Sequence, residues 1–273
     1  MRTANKEFFD YTKSLPFKDI THFWDIPYKQ ILEEVKLVDE KHWSRPFNVD
    51  KNFTMNQETF HCDVVQPIHK MKQSEFDLIE KIVDTKPGLN MISFHCATSS
   101  KNTIEKSGIF QPSDDNYSKQ EMYDNCFENV EKIRKIVGNI ELLIENNNYY
   151  PTNAYDYVTD GEFLSSLIFD TDLDGFLFDT AHAQVTAYNK GISYDEYKST
   201  LPFQLCRQIQ VCKTGLVENS VKDLHNCPGK KEFDDVKNTV VKYPNIDYIT
   251  IEYYRDINKL IRALKTLREM FND

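Results

Sequence analysis

Short apolar runs recur along this chain, and stretches with helical periodicity separate them. The runs are "ETFHCDVV" (58–65), "NMISFHCA" (90–97), "IELLIENNN" (140–148), "GFLFDTAHA" (175–183), "CRQIQVC" (206–212) and "YITIEYY" (248–254), with "ITHFWDI" (20–26) a weaker first member. They are short and largely apolar, and resemble parallel strands buried on both faces. The helical stretches are "SEFDLIEKIVDT" (74–85) with Ser74 as its N-cap, "SKQEMYDNCFENVEKIRKIVG" (118–138) closed by Gly138, "DGEFLSSLIF" (160–169), "KKEFDDVKNTVVKY" (230–243) and "INKLIRALKTLREMF" (257–271). Strand–helix alternation along the whole length predicts βα units and a parallel sheet. About eight such units fit a closed (β/α)8 barrel, which typically fills about 250 residues. We therefore read residues 1–273 as one α/β TIM-barrel domain, with an open doubly wound sheet as the alternative. No Gly-rich phosphate loop follows any run and the chain has only 8 glycines, which counts against a dinucleotide fold.

Nearly every predicted strand ends in a side chain that can bind a metal. His61 follows Phe60, His95 follows Phe94, Glu145 follows "LLI", Asp179 and His182 close the "GFLFDTAHA" run, and Glu252 follows "ITI". Asp223 and His225 sit in "DLH", expected in a loop after the sixth strand. In a parallel barrel the C-terminal strand ends converge on one mouth. Clustered carboxylates cannot all be ionised there without compensation, because like charges raise one another's pKa. Interleaved imidazoles and divalent cations remove the conflict, and mixed His–carboxylate sets suit iron, zinc or manganese. Eight such groups exceed what one ion needs, which points to two or three ions bridged by carboxylate. A lone buried histidine is usually a satisfied core residue, and a lone strand-end acid is usually a helix cap; recurrence at equivalent strand ends favours ligation. His22, His42 and His69 lack that context and are read as structural or exposed, His69 lying nearest the mouth. Glu145 and Glu252 are expected on opposite sides of the barrel. Asp179 and His182 can share one cavity only if the strand stops near Thr180.

Other groups narrow the function. Cys62 and Cys96 each follow a proposed histidine ligand, so on a strand they face away from it, as buried apolar residues. Cys227, in "DLHNCPG", is the thiol best placed for reactivity. The segment "NNNYYPTNAYDY" (146–157) after Glu145 offers a substrate-facing wall, with Asn146, Asn147 and Tyr149 on it and Asn189 nearby. The six cysteines form no CxxC pair and the N-terminus shows no secretory signal, which suits reduced thiols in the cytoplasm. No run approaches 18 apolar residues, so no membrane span is expected. A net charge of −10 disfavours nucleic acid as a partner.

The set His61, His95, Glu145, Asp179, His182, Asp223, His225 and Glu252 resembles the metal ligands of xylose-isomerase-like barrels. Two branches carry such long sets: the three-zinc type IV apurinic endonucleases and the multinuclear non-heme iron-dependent oxidative enzymes. Four stretches are similar to the second branch: "IENNN", "NKGISYDEYKSTLPFQLCRQIQVCKTG" (189–215), "DLHNCPGKKEFDDV" and "ITIEYYRD". The likeness runs from about residue 58 to 260. Gln210 occupies the family's sixth-strand histidine position and is a degenerate ligand, and His182 falls where the oxidative branch often has Asn. The resemblance implies two or three irons, dioxygen as co-substrate, oxidation of a residue (often cysteine) in a ribosomally made peptide, and a partner protein that delivers the peptide. Three alternatives compete. One is a sugar or polyol isomerase or epimerase with one divalent ion, and another a phosphodiesterase of the endonuclease type. Both want the sixth-strand histidine. The third is a degenerate barrel kept as a binding protein.

Overall fold

A computed structural model describes residues 58–271 apart from 219 and 254, together with the backbone of residues 18–22 and 43–45. Eight strands form its main sheet: β1 (Lys18–His22), β2 (Trp43–Arg45), β3 (Thr59–Cys62), β4 (Met91–His95), β7 (Glu141–Glu145), β8 (Gly175–Asp179), β9 (Cys206–Val211) and β12 (Tyr248–Ile251). They are hydrogen-bonded in the order β2-β1-β12-β9-β8-β7-β4-β3, and every pairing is parallel. The end strands β2 and β3 lie side by side, so the sheet curls into a barrel. The expected first strand (20–26) corresponds to β1 as far as His22; its remainder, and His42, lie outside the described residues.

The two-residue period of the strands sorts the side chains into two layers. Met91, Leu143, Leu177 and Tyr248 form a small apolar plug inside the barrel. Ile92, Phe94, Leu142, Ile144, Phe176, Phe178, Ile209, Val211, Ile249 and Ile251 belong to a second, larger cluster between barrel and helices. This parity decides where the polar groups go. Glu145 lies two residues beyond Leu143 and Asp179 two beyond Leu177; His95 lies four beyond Met91 and Glu252 four beyond Tyr248. Each falls on the inward face, above the plug, at the C-terminal end of its strand.

The helices that cover the barrel are α1 (Gln73–Thr85), α2 (Lys119–Val137), α3 (Gly161–Asp170), α4 (Thr180–Lys190), α5 (Tyr194–Thr200), α6 (Lys230–Lys242) and α7 (Ile257–Phe271). α2 starts and stops as its sequence predicts: Ser118 Oγ accepts the Glu121 N–H, and Gly138 at φ 62° closes it. α1 starts earlier than expected. Lys72 is its N-cap, with its N–H donated to Glu75 Oε2 at 2.7 Å, so Ser74 lies inside the first turn. The run read as a strand over 175–183 is strand only to Asp179, and α4 begins at Thr180. Ala181 and Ala183, which prolong the apolar run, are helical. Gly191, left-handed at φ 69°, ends that helix.

Two hairpins cross the mouth: β5 (Glu105–Lys106) with β6 (Ile109–Phe110), and β10 (Lys213–Val217) with β11 (Ser220–Asn226). Asp223 and His225, expected in a loop, are therefore on a strand. β11 was not legible because it is half-buried along its length and lacks apolar alternation. No helix among the described residues is long and apolar enough to cross a membrane.

Candidate metal centre

Three groups of donor atoms converge at the barrel mouth, the atoms of each lying within 4.8 Å of one another: His61, His95 and Glu145; Glu145, Asp179 and His182; and Cys212, Asp223, His225 and Glu252. Glu145 belongs to the first two. Its Oε2 lies 3.0 Å from His95 Nε2 and 3.4 Å from His61 Nε2, while its Oε1 lies 3.1 Å from His182 Nδ1. His61 Nε2 and His95 Nε2 approach to 2.9 Å. His182 Nε2, 3.4 Å from Asp223 Oδ2, links the second group to the third. There His225 Nε2 is 3.0 Å from Asp223 Oδ2 and 3.4 Å from Glu252 Oε1. All eight residues predicted at strand ends and in "DLH" thus meet in one constellation.

A further shell of side chains fixes their aim. Ser93 Oγ holds His61 Nδ1 at 2.9 Å, which leaves Nε2 turned to the group. Asn146 clasps the Asp179 backbone, accepting its N–H at 2.9 Å and donating to its carbonyl at 3.0 Å. His225 has φ 45°, a left-handed conformation that costs a non-glycine residue and is common at functional sites. Arg255 Nη2 pins that bend by donating to the carbonyls of Leu224 and His225 at 2.9 and 2.8 Å.

The charges are finely opposed. Burial works to raise the Glu145 carboxyl, but His95, His61 and His182 together hold it well below the usual range. Burial likewise opposes ionisation of Asp223, which His225 and His182 outweigh. Asp179 goes the other way: burial, then Glu252, Asp223 and Glu145, push it well above the usual carboxylate value. Burial lowers the two imidazoles that face this negative field, yet Asp179, Asp223 and Glu145 raise His182, and Glu252 and Asp223 carry His225 to about 9.

Oδ2 of Asp179 is buried without a hydrogen-bond partner, and both buried oxygens of Glu145 face imidazole nitrogens at 3.0–3.4 Å without a well-aligned hydrogen bond. Buried polar atoms are normally satisfied. Orphaned carboxylate oxygens beside imidazole nitrogens in three overlapping groups fit metal ions, which would neutralise the acids and take the ring lone pairs.

The mouth opens into a cavity of about 590 Å3, lined among others by His95, Asn147, Tyr150, His182, Asp223, His225 and Glu252, with Glu105 and Phe110 from one hairpin and Lys222 from the other. Asn147 of the expected substrate wall lies there. Asn146, Tyr149 and Asn189 do not line it: Asn146 is buried on Asp179, and Asn189 Nδ2 braces the Tyr149 carbonyl at 2.7 Å beside a second, more open cavity. His69 is held by the Thr98 carbonyl at 2.6 Å and packs against the tilted Tyr117 ring, outside the three groups. Cys62 and Cys96 are buried in the barrel–helix layer. Cys227 is partly buried, and burial pushes its thiol up. The residue missed from sequence is Cys212. Its signal was its spacing, two residues after Gln210 at the same strand end.

The profile of a family described as RiPP precursor modification enzyme MbnB/TglH/ChrH matches residues 76–271. Curated proteins give no match. Among solved structures, a 3-keto-D-glucoside 4-epimerase from E. coli superposes with a TM-score of 0.59 at 13% identity, covering 93% of this chain and 99% of its own. An AP endonuclease of family 2 from Brucella melitensis gives 0.55 at 10% identity, covering 92% and 98%. A xylose isomerase-like TIM barrel protein from Mycobacterium smegmatis, in complex with magnesium, gives 0.51 at 10% identity, covering 98% and 87%. At such identities the likeness concerns the fold, which is that of xylose-isomerase-like TIM barrels.

Proposed function

The chain belongs to the MbnB/TglH/ChrH family of RiPP precursor modification enzymes, and from that premise we propose that it is a multinuclear iron oxidase acting on a residue, often cysteine, of a ribosomally made peptide, with dioxygen as co-substrate. The observation that carries the reading is the sharing of Glu145 between two donor groups, with His182 and Asp223 joining the third. A single-ion isomerase has no use for so long a chain of ligands.

His61, His95, Glu145, Asp179, His182, Asp223, His225 and Glu252 would hold the ions. When bound, iron supplies the one-electron chemistry that couples dioxygen reduction to oxidation of the peptide residue. The chain supplies binding, orientation and a dry setting. Glu145 and Asp179 are fully buried, so a reacting group meets fixed protein charges rather than water. Ser93, Asn146 and Arg255 keep the ligand side chains and the His225 bend in place. The cavity of about 590 Å3 is in the range of ligand sites, roughly 300–1,000 Å3, and takes a few peptide side chains. Asn147, Lys222 and Glu105 offer donors, a positive charge and an acceptor to a passing backbone. A partner protein would present the peptide across the two hairpins. The six free thiols suit a reducing compartment, and we place the reaction in the cytoplasm.

The test is metal analysis of protein purified anaerobically without added metal. Two or three irons per chain are expected. One manganese or magnesium would replace this reading with an isomerase, and three zincs with a phosphodiesterase.

A further inference from the structure

We propose that Cys212 is a metal ligand, giving the third group a sulfur donor at the strand end that also carries the buried, unpartnered amide of Gln210. The inference rests on the metal-enzyme reading above and deepens it.

Gln210 faces Asp179 on β8 and Thr250 on β12 in the strand register, which puts it in the ring of strand-end residues at the mouth. Its side chain is fully buried, and neither its amide oxygen nor its amide nitrogen has a hydrogen-bond partner. An amide is a weaker donor than imidazole for a borderline ion. Two residues on, just past the last residue of β9, the fully buried Cys212 thiol donates to Asp223 Oδ1 at 3.3 Å. Its Sγ lies within 4.8 Å of donor atoms of Asp223, His225 and Glu252. Metal–sulfur bonds are ~2.3 Å and metal–nitrogen bonds ~2.0–2.1 Å, so donors on one ion lie roughly 3–4 Å apart. The separations of 3.3 Å for Cys212–Asp223, 3.0 Å for His225–Asp223 and 3.4 Å for His225–Glu252 fall in that range. One sulfur, one imidazole and two carboxylates make a four-donor set for iron or zinc. Ion binding would displace the thiol proton to solvent and leave sulfur bound as thiolate.

The other cysteines do not compete. Cys62, Cys96, Cys126 and Cys206 sit in the apolar barrel–helix cluster, and Cys227 packs at its edge. The strained backbone at His225, clamped by Arg255, is the second feature pointing to this group, because it turns the imidazole toward Asp223 and Glu252.

Cobalt(II) reports sulfur ligation directly, through a near-ultraviolet thiolate-to-metal charge-transfer band that nitrogen and oxygen ligands do not give. Full-length protein stripped of metal and reloaded with cobalt(II) should show this band. Cys212→Ser should lose at least about nine-tenths of it and up to one ion per chain, while keeping cobalt in the groups that share Glu145. Cys227→Ser should keep the band, which also shows that it does not come from the half-buried thiol. Circular dichroism of Cys212→Ser checks the fold, and the wild-type band needs no variant to be read. Cobalt bound without the band, or a band unchanged in Cys212→Ser, would overturn the sulfur ligand and leave the multinuclear reading standing. No cobalt binding in the wild-type protein would overturn both.

Discussion

Asp179 caps the helix that carries His182: its Oδ1 accepts the His182 backbone N–H at 2.6 Å, while its Oδ2 stays buried without a hydrogen bond. One carboxylate thus does two jobs. The cap stops β8 and starts α4, and the carboxylate shares a donor group with Glu145 and His182. The two jobs separate by mutation. Asp179→Asn keeps a cap acceptor and loses the charge, so it should fold normally but lose an ion. Asp179→Ala should lose the ion and also about 1 kcal/mol of stability. Metal content together with melting in excess chelator checks this. Equal melting of the two variants would show that the cap contributes nothing.

Glu145 serves two donor groups and Glu252 one. Glu145→Gln should therefore remove more than one ion per chain, and Glu252→Gln no more than one. Both variants should keep the far-ultraviolet circular dichroism of the barrel, because neither side chain carries the apolar packing. Matching losses in the two variants, read by elemental analysis, would contradict the shared role of Glu145.

Most of the barrel was legible because short, largely apolar runs alternate with helical periodicity, and its candidate ligands recur at strand ends. His61, His95, Glu145 and Glu252 needed only that recurrence. Ala181 and Ala183 extend the apolar look of β8 into what is a helix, yet the need for Asp179 and His182 to reach one cavity already put the strand end near Thr180, where α4 begins. One element was hidden by composition. β11 is half-buried and polar, so its strand character comes from pairing with β10, a non-local contact that no short window contains. Cys212 was missed for a different reason. A thiol beside apolar residues reads as core, and its polar partner Asp223 lies 11 residues away, on another strand. Asn146 and Asn189 both brace backbone carbonyls, a role that an asparagine-rich sequence cannot reveal.

The metal-free protein should have a narrow pH range of greatest stability. The His225 pKa rises from an ordinary 6.5 to about 9 in the fold, so its contribution is complete below pH 6.5 and lost as pH rises through 9. At most this is roughly 3 kcal/mol. His182, also raised, acts in the same direction. Glu145 and Asp223 are held low, so what they contribute is present above their ordinary 4.5 and 3.8 and is lost at lower pH. With metal bound, the imidazoles are neutral ligands and the alkaline loss should vanish; below about pH 6.5 protons should instead compete for them and release metal. Melting temperatures from pH 5 to 9, with chelator and with metal, test this. Parallel profiles would sink it.

Gln210 offers the last test. A buried amide with both ends unsatisfied costs about 1–3 kcal/mol per orphaned group unless something absent from the protein chain meets it. Its register with Asp179 sets it beside the ligand ring. If it is the weak member of that ring, the ion nearest to it should be the first lost in dialysis against chelator. Gln210→His would present imidazole nitrogen from the same strand position, and a borderline divalent ion prefers that nitrogen to an amide oxygen. The variant should retain up to one more ion per chain and release it more slowly. The gain should be largest on a Cys212→Ser background, where the group has lost its sulfur and an added nitrogen can replace it. Equal metal content and equal release rates in all four proteins of this double-mutant cycle would place Gln210 outside the coordination shell.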